Sequence, residues 1–141
     1  MRSQFRFALG CAALLGLAST SGLSLAGGFA RPYVVSVEDV STKVGEHTVL
    51  TAKLKLADGY QVLDTYNNRL VQLSSYDDGV AFEREVVPGK VENGGLTFVV
   101  GLTPTKAGTH PINGIFRVGY FKDDRMDMVS VPLIAKVTGT E

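Results

Sequence analysis

From Tyr33 onward, apolar and polar side chains alternate with period two almost throughout, and clusters of Gly, Asp, Asn and Pro cut the alternation into short runs. Such a pattern predicts strands, and no segment carries a convincing helical stripe. The first predicted strand covers residues 33–40, and Lys43-Val44-Gly45-Glu46 turns the chain into a second over residues 47–56. In that second strand Leu50, Ala52, Leu54 and Leu56 share one face while Thr51, Lys53 and Lys55 share the other, which puts one face on a core and one in water. Asp58-Gly59 signals a turn, and a third element, residues 60–63 and 70–73, is broken by the polar loop of residues 64–69.

A fourth predicted strand covers residues 80–87 and ends at Pro88-Gly89. Asn93-Gly94-Gly95 tolerates positive φ and turns the chain into a fifth, residues 96–102, with Leu96, Phe98, Val100 and Leu102 on one face. A longer connection over residues 103–109 leads to the sixth and seventh strands, residues 112–121 and 126–137. The polar link Lys122-Asp123-Asp124-Arg125 makes these two a hairpin. Short strands at this spacing, with no helix, predict an all-β fold, an immunoglobulin-like antiparallel β-sandwich of about seven strands. A small closed barrel is the alternative.

Composition changes the picture mainly at the N-terminus. Arg2 and Arg6 precede an apolar, small-residue run from Phe7 to Ala26, the pattern of a secretory signal peptide. Cleavage is expected after Ala26, with Ala30 as a second candidate, so the organisation is a signal peptide over 1–26 and one sandwich domain over 27–141. Gly10, Gly16 and Gly22 interrupt the run and argue against an uncleaved anchor helix. Cys11 follows Ala8-Leu9-Gly10 as in a lipobox, but the apolar stretch before it is short and contains Arg6, against lipidation. Of the 14 basic side chains two are lost with the segment, leaving 12 against 14 acidic ones, and the single cysteine is lost as well. The mature chain is therefore cysteine-free, exported to a periplasm or beyond, and dependent on a hydrophobic core of its own. Its charge balance supplies no field for nucleic acid, and the mature chain offers no membrane span.

Several features turn out to resemble one known family. Val44-Gly45-Glu46 after the first strand, Leu56-Ala57-Asp58-Gly59-Tyr60 at the end of the second and Pro88-Gly89 after the fourth belong to this set, with Lys106-Ala107-Gly108 before the sixth and Pro132-Leu133 in the last. They resemble the N-terminal periplasmic domains of thiol:disulfide interchange proteins of the DsbD type, over residues 35–139. The resemblance implies an immunoglobulin-like fold and an exported location. In that family a cysteine pair on the last hairpin passes electrons to periplasmic thiol proteins. The matching hairpin here, residues 117–128, contains no cysteine, and thiol exchange needs a thiolate. The redox activity is thus not expected.

The remaining chemistry is sparse. His47 and His110 are the mature chain's histidines, both beside turns, and no nucleophile-elbow motif accompanies them, so no enzyme is expected. They read as solvated or capping imidazoles. Asp77, Asp78, Asp123, Asp124 and Asp127 lack the spacing of a calcium loop and read as solvated turn carboxylates. No cofactor motif is present. A soft-metal alternative uses Met126 and Met128 on one strand face with His110, a donor set that suits Cu(I). The favoured expectation is a non-catalytic binding or accessory module for a protein partner. Its contact residues would be Tyr66, Asn67, Asn68 and Arg69 in one loop, lying beside Tyr120 and Phe121 of the last hairpin. An accessory subunit of an exported complex, accepting a partner strand at a sheet edge, is the second form of this expectation.

Overall fold

The computed structural model describes residues 31–141, so the expected signal peptide and both candidate cleavage positions lie outside the described residues. The strands are β1 (Tyr33–Val37), β2 (Val40–Lys43), β3 (Thr48–Leu56), β4 (Gln61–Val62), β5 (Arg69–Ser75) and β6 (Val80–Phe82). They continue with β7 (Val87–Pro88), β8 (Lys90–Glu92), β9 (Gly95–Pro104), β10 (Gly108–Lys122) and β11 (Arg125–Thr140). Strands β1, β3, β9 and β6 form one sheet in that order, with β8 also on β9. The second sheet runs β2, β11, β10, β5, β7, with β4 also on β10. All pairings are antiparallel except that of β2 with β11. This is the expected immunoglobulin-type sandwich.

The predicted inward faces are the observed ones. Leu50, Ala52, Leu54 and Leu56 of β3 and Leu96, Phe98, Val100 and Leu102 of β9 are buried from one sheet. They meet Leu70 of β5, Ile112, Phe116 and Val118 of β10, and Val131, Leu133, Ala135 and Val137 of β11 from the other. Phe98 and Phe116 touch across the sandwich with ring centroids 4.9 Å apart and planes tilted by 55°. Two facing layers of branched and aromatic side chains are enough to hold this chain without a crosslink.

Two expected strands are each divided between the sheets. In place of one strand over residues 33–40, β1 pairs with β3 in the first sheet and β2 pairs with β11 in the second. The inward phase shifts there from Tyr33, Val35 and Val37 to Val40 and Thr42, and the Asp39 carboxylate accepts the Lys136 N–H at 2.9 Å as the chain crosses. The expected strand over residues 80–87 likewise becomes β6 on β9 and β7 on β5. Glu83, Arg84 and Glu85 form the crossing, since three charged side chains in a row cannot alternate into a core. Pro88-Gly89 is followed by β8, which turns into β9 through Asn93 and Gly94, both at positive φ.

Strands β10 and β11 are longer than the expected sixth and seventh, with 15 and 16 residues against 9 in β3 and 10 in β9. Residues 125–128 of β11 are exposed on both faces, so the tip of this ribbon overhangs the opposite sheet. The overhang is the feature that positions the site.

The contact at the centre of the core gives a direct test. Phe98→Ala should lower the unfolding free energy by about 3–5 kcal/mol, because it removes a fully buried ring and leaves Phe116 facing a void. Urea denaturation with an unchanged m-value measures it, and a loss below about 1 kcal/mol would mean that the sheets do not meet there.

Candidate functional site

Along one edge of β10, β4 pairs with Tyr120 and Phe121 and β5 pairs with Arg117, Phe116 and Ile115. Between them residues 63–68 leave the ladder as a loop, and Gly119 would lose its strand partner there. The loop replaces it. Leu63 donates its N–H to the Gly119 carbonyl at 2.9 Å, and the Asn68 Oδ1 accepts the Gly119 N–H at 2.8 Å. The Asn68 Nδ2 donates to the carbonyls of Leu63 at 3.0 Å and Tyr66 at 3.2 Å, closing the loop on itself. An amide side chain has both donors and an acceptor, which is what this position uses. Asn68 is buried, with its amide committed inside the chain, so it holds the contact loop and offers no group to a partner.

The same geometry places Tyr66. A Cβ on Gly119 would lie 2.9 to 3.1 Å from the Cβ, Cγ and Cδ1 of Tyr66, so the ring root rests on the bare backbone of the ribbon. Residues of odd number in β10 and even number in β11 point away from the core, as the burial of Phe116, Val118, Val131 and Leu133 requires. Phe121 opposite Met126 and Gly119 opposite Met128 therefore lie on the outer face with Tyr66, and Arg117 pairs with Arg69 in the next row. Met126 is 72% exposed and Met128 64%. Leu63, Phe121 and Met126 also line an open recess under the turn at Asp123 and Asp124.

Of the six residues expected to meet a partner, Tyr66, Arg69 and Phe121 converge on this face. Asn67 is exposed at its rim, and its carbonyl accepts a hydrogen bond from the Arg69 guanidinium at 2.7 Å. Tyr120 faces the other way. It is buried at the end of the core, edge-on to Tyr60 with centroids 5.7 Å apart, and its hydroxyl donates over 3.4 Å to Asp127. Burial, with the Asp127 charge, pushes its phenol above the ordinary value. Lys122 Nζ lies 4.8 Å from the Tyr60 ring centroid, a cation–π contact on this inner side of the overhang. Arg117 had no signal in the sequence, since nothing there pairs position 117 with position 69. The isolated Gly119 inside a strand was a legible signal for a close approach.

The soft-metal set does not assemble. His110 lies near the start of β10, opposite Val137, whereas Met128 and Met126 lie opposite Gly119 and Phe121 near its end. At about 3.3 Å per residue these groups are some 30 Å apart. His110 is moreover buried rather than solvated, with both ring nitrogens engaged: Nδ1 is 2.6 Å from Asp77 Oδ2 and Nε2 is 2.7 Å from the Lys106 carbonyl. A carbonyl can only accept, so Nε2 carries a proton, and the carboxylate draws a second onto Nδ1. Asp77 also accepts from Ser75 and from the Gly79 N–H, so it is a built partner rather than a free turn carboxylate. Among the described residues no three His, Cys, Asp or Glu side chains gather as a metal site.

The free edge of β11 is guarded. Strand β2 covers it only from Val137 to Thr140. Even-numbered residues there send their N–H outward, as Lys136 does to Asp39. Met128 spends its outward N–H on the Asp127 carboxylate at 2.8 Å, and Pro132 has none. Such an edge resists strand addition, which leaves the outer face as the better contact surface.

Fold and site together define a β-sandwich module with an uncovered apolar face at one end. No protein-family profile matches the chain, and no curated protein does. Solved structures similar to it include two of low identity. AggA, the major subunit of aggregative adherence fimbriae type I from Escherichia coli, is 14% identical with a TM-score of 0.44, covering 77% of this chain and 95% of that one. The seventh ScaB type I cohesin from Pseudobacteroides cellulosolvens is 11% identical with a TM-score of 0.48, covering 77% and 94%.

Two outcomes are expected from this geometry. Asn68→Ala leaves the Gly119 N–H without a partner and takes the second hydrogen bond from the carbonyls of Leu63 and Tyr66, which keep the backbone N–H groups of Tyr66 and Asn68, at a cost of about 1–3 kcal/mol. Amide exchange at Gly119 should accelerate, and unchanged protection would show that the loop holds without this side chain. The pH profile tests His110. Its hydrogen bond to Asp77, and then that to Lys106, raise its pKa above the ordinary 6.5, so its contribution is complete below 6.5 and is lost as pH rises through the folded value. Asp77, drawn down to about 2 chiefly by the same bond, contributes above 3.8 and loses that contribution as pH falls through about 2. Stability should be flat between these limits and decline on the alkaline side, and His110→Gln should remove that decline. Parallel declines in both proteins, followed by urea midpoints, would refute the assignment.

Proposed function

We propose that this chain is an exported, non-catalytic immunoglobulin-like module that binds a protein partner through the outer face of its β10–β11 end. One observation carries the reading: Tyr66, Phe121, Met126 and Met128 share an outward face that no other layer of the sandwich covers. Aromatic and thioether side chains on a stiff ribbon bury much area on contact and lose little freedom. The non-catalytic part rests on His110. Its pairing with Asp77 resembles a catalytic dyad, but the nitrogen that would act as base is held by the Lys106 carbonyl instead of a nucleophile. Export is supported by the basic and apolar character of residues 1–26. In this reading the hairpin that carries cysteines in DsbD-type domains serves here as a contact surface.

The experiment is native purification from the periplasm with the protein's own leader, followed by intact mass spectrometry. A defined partner should accompany the chain, and the double variant Phe121→Ala/Met128→Ala should lose it by at least tenfold while its melting temperature stays within a few degrees. Full retention by a folded double variant would exclude this face. Release of the chain as a monomer without any partner would speak against an accessory subunit.

A further inference from the structure

In the middle of this outer face Arg69 of β5 stands directly opposite Arg117 of β10. Side chains in such register share a face with their Cβ atoms about 5 Å apart, and like charges so placed repel. Among the described residues neither guanidinium has a carboxylate within salt-bridge distance. The outward rows of the two long strands offer none either. The outward positions of β10 are Thr109, Pro111, Asn113, Ile115, Arg117, Gly119 and Phe121. Those of β11 run from Met126 through Met128, Ser130, Pro132 and Ile134 to Lys136 and Thr138, again without an acid. The outward rows of β10 and β11 thus carry no acid. Acids stand at the margins of the face, as Asp123 and Asp124 at the tip turn and Asp39 at the β11 edge, and two arginines are set side by side between them.

The rows on either side of the pair are apolar. Towards the tip lie Tyr66 and Met128, and on the other side Val71, Ile115 and Pro132 stand in register. We infer that the partner presents an acidic segment here, with carboxylates flanked by apolar side chains. The inference rests on the docking reading above and adds the chemistry of what docks. A guanidinium matches a carboxylate with two parallel hydrogen bonds, and binding removes the repulsion that the free face carries. A sulfated polysaccharide would answer the charge but would leave the apolar rows uncovered, so a protein segment fits better.

The test uses a nine-residue peptide alternating leucine with aspartate, titrated into the 15N-labelled protein. Amide shifts should appear along the outward rows of β5, β10 and β11. Affinity should fall at least tenfold in Arg69→Gln/Arg117→Gln and several-fold as salt rises from about 50 to about 300 mM, where the Debye length shortens to the scale of the contact. If that variant does not fold, Arg69→Lys/Arg117→Lys keeps the charge and should lose part of the affinity with the two-pronged geometry. Equal binding of a peptide with serine in place of aspartate would overturn the acidic segment and leave the docking face standing. Heparin fragments that bind the arginines with no shift at Ile115 or Met128 would overturn it in favour of a polysaccharide. Absence of shifts from both peptides would overturn it too, and the native-complex experiment with Phe121 and Met128 then decides separately whether the face docks anything.

Discussion

The structure depends on one long antiparallel ribbon, β10 paired with β11 from Gly108 opposite Gly139 to Lys122 opposite Arg125. Its two halves serve different ends because the period-two rule holds over its whole length while the layer beneath it does not. In one half the inward side chains Ile112, Phe116, Val131 and Leu133 close against β3 and β9 and form the core. In the other half the opposite sheet has ended, and the same register exposes Asp127 on one side and Met126 and Met128 on the other. The rigidity of the site is therefore the rigidity of the core, transmitted along uninterrupted backbone hydrogen bonds. A contact surface built this way costs little ordering entropy when it is used.

Gly119 is where fold and site join. Its missing side chain admits Tyr66, its carbonyl receives the Leu63 N–H and its own N–H reaches Asn68. A loop of six residues between β4 and β5 is thereby held as firmly as a strand, because a side-chain amide replaces a ladder carbonyl. At the other end of the ribbon His110 plays a comparable part with charge. The His110–Asp77 pair, with Lys106 Nζ and Thr105 also donating to the turn at Asp77 and Asp78, ties the β5–β6 turn to the β9–β10 connection. Both ends of the sandwich are thus closed by a buried polar side chain, Asn68 at one and His110 at the other, each bonded to groups distant in the chain.

How much was legible in advance can be judged residue by residue. The inward faces of β3 and β9 were readable from Leu50 to Leu56 and from Leu96 to Leu102, since alternation encodes burial directly. The division of residues 33–40 and 80–87 between two sheets leaves fainter local traces, the phase shift before Val40 and the charges from Glu83 to Glu85. At the site, the loop at Tyr66 lies beside the hairpin, and Tyr66, Arg69 and Phe121 share a face. Asn68 and Tyr120 turned inward because their hydrogen-bonding and packing partners, Gly119 and Tyr60, lie far away in the chain or on the other side of the ribbon.

By itself the sequence determined the class of fold, the core faces and the lack of a thiol pair on the hairpin, because each of these is written in local composition and period. Only the tertiary structure decided which surface residues act together. The Arg69–Arg117 pair, the seat of Tyr66 on Gly119 and the separation of His110 from the methionines all depend on strand register, which couples residues distant in sequence. Register is set by how the whole set of apolar faces closes into one core, and no single segment contains that information.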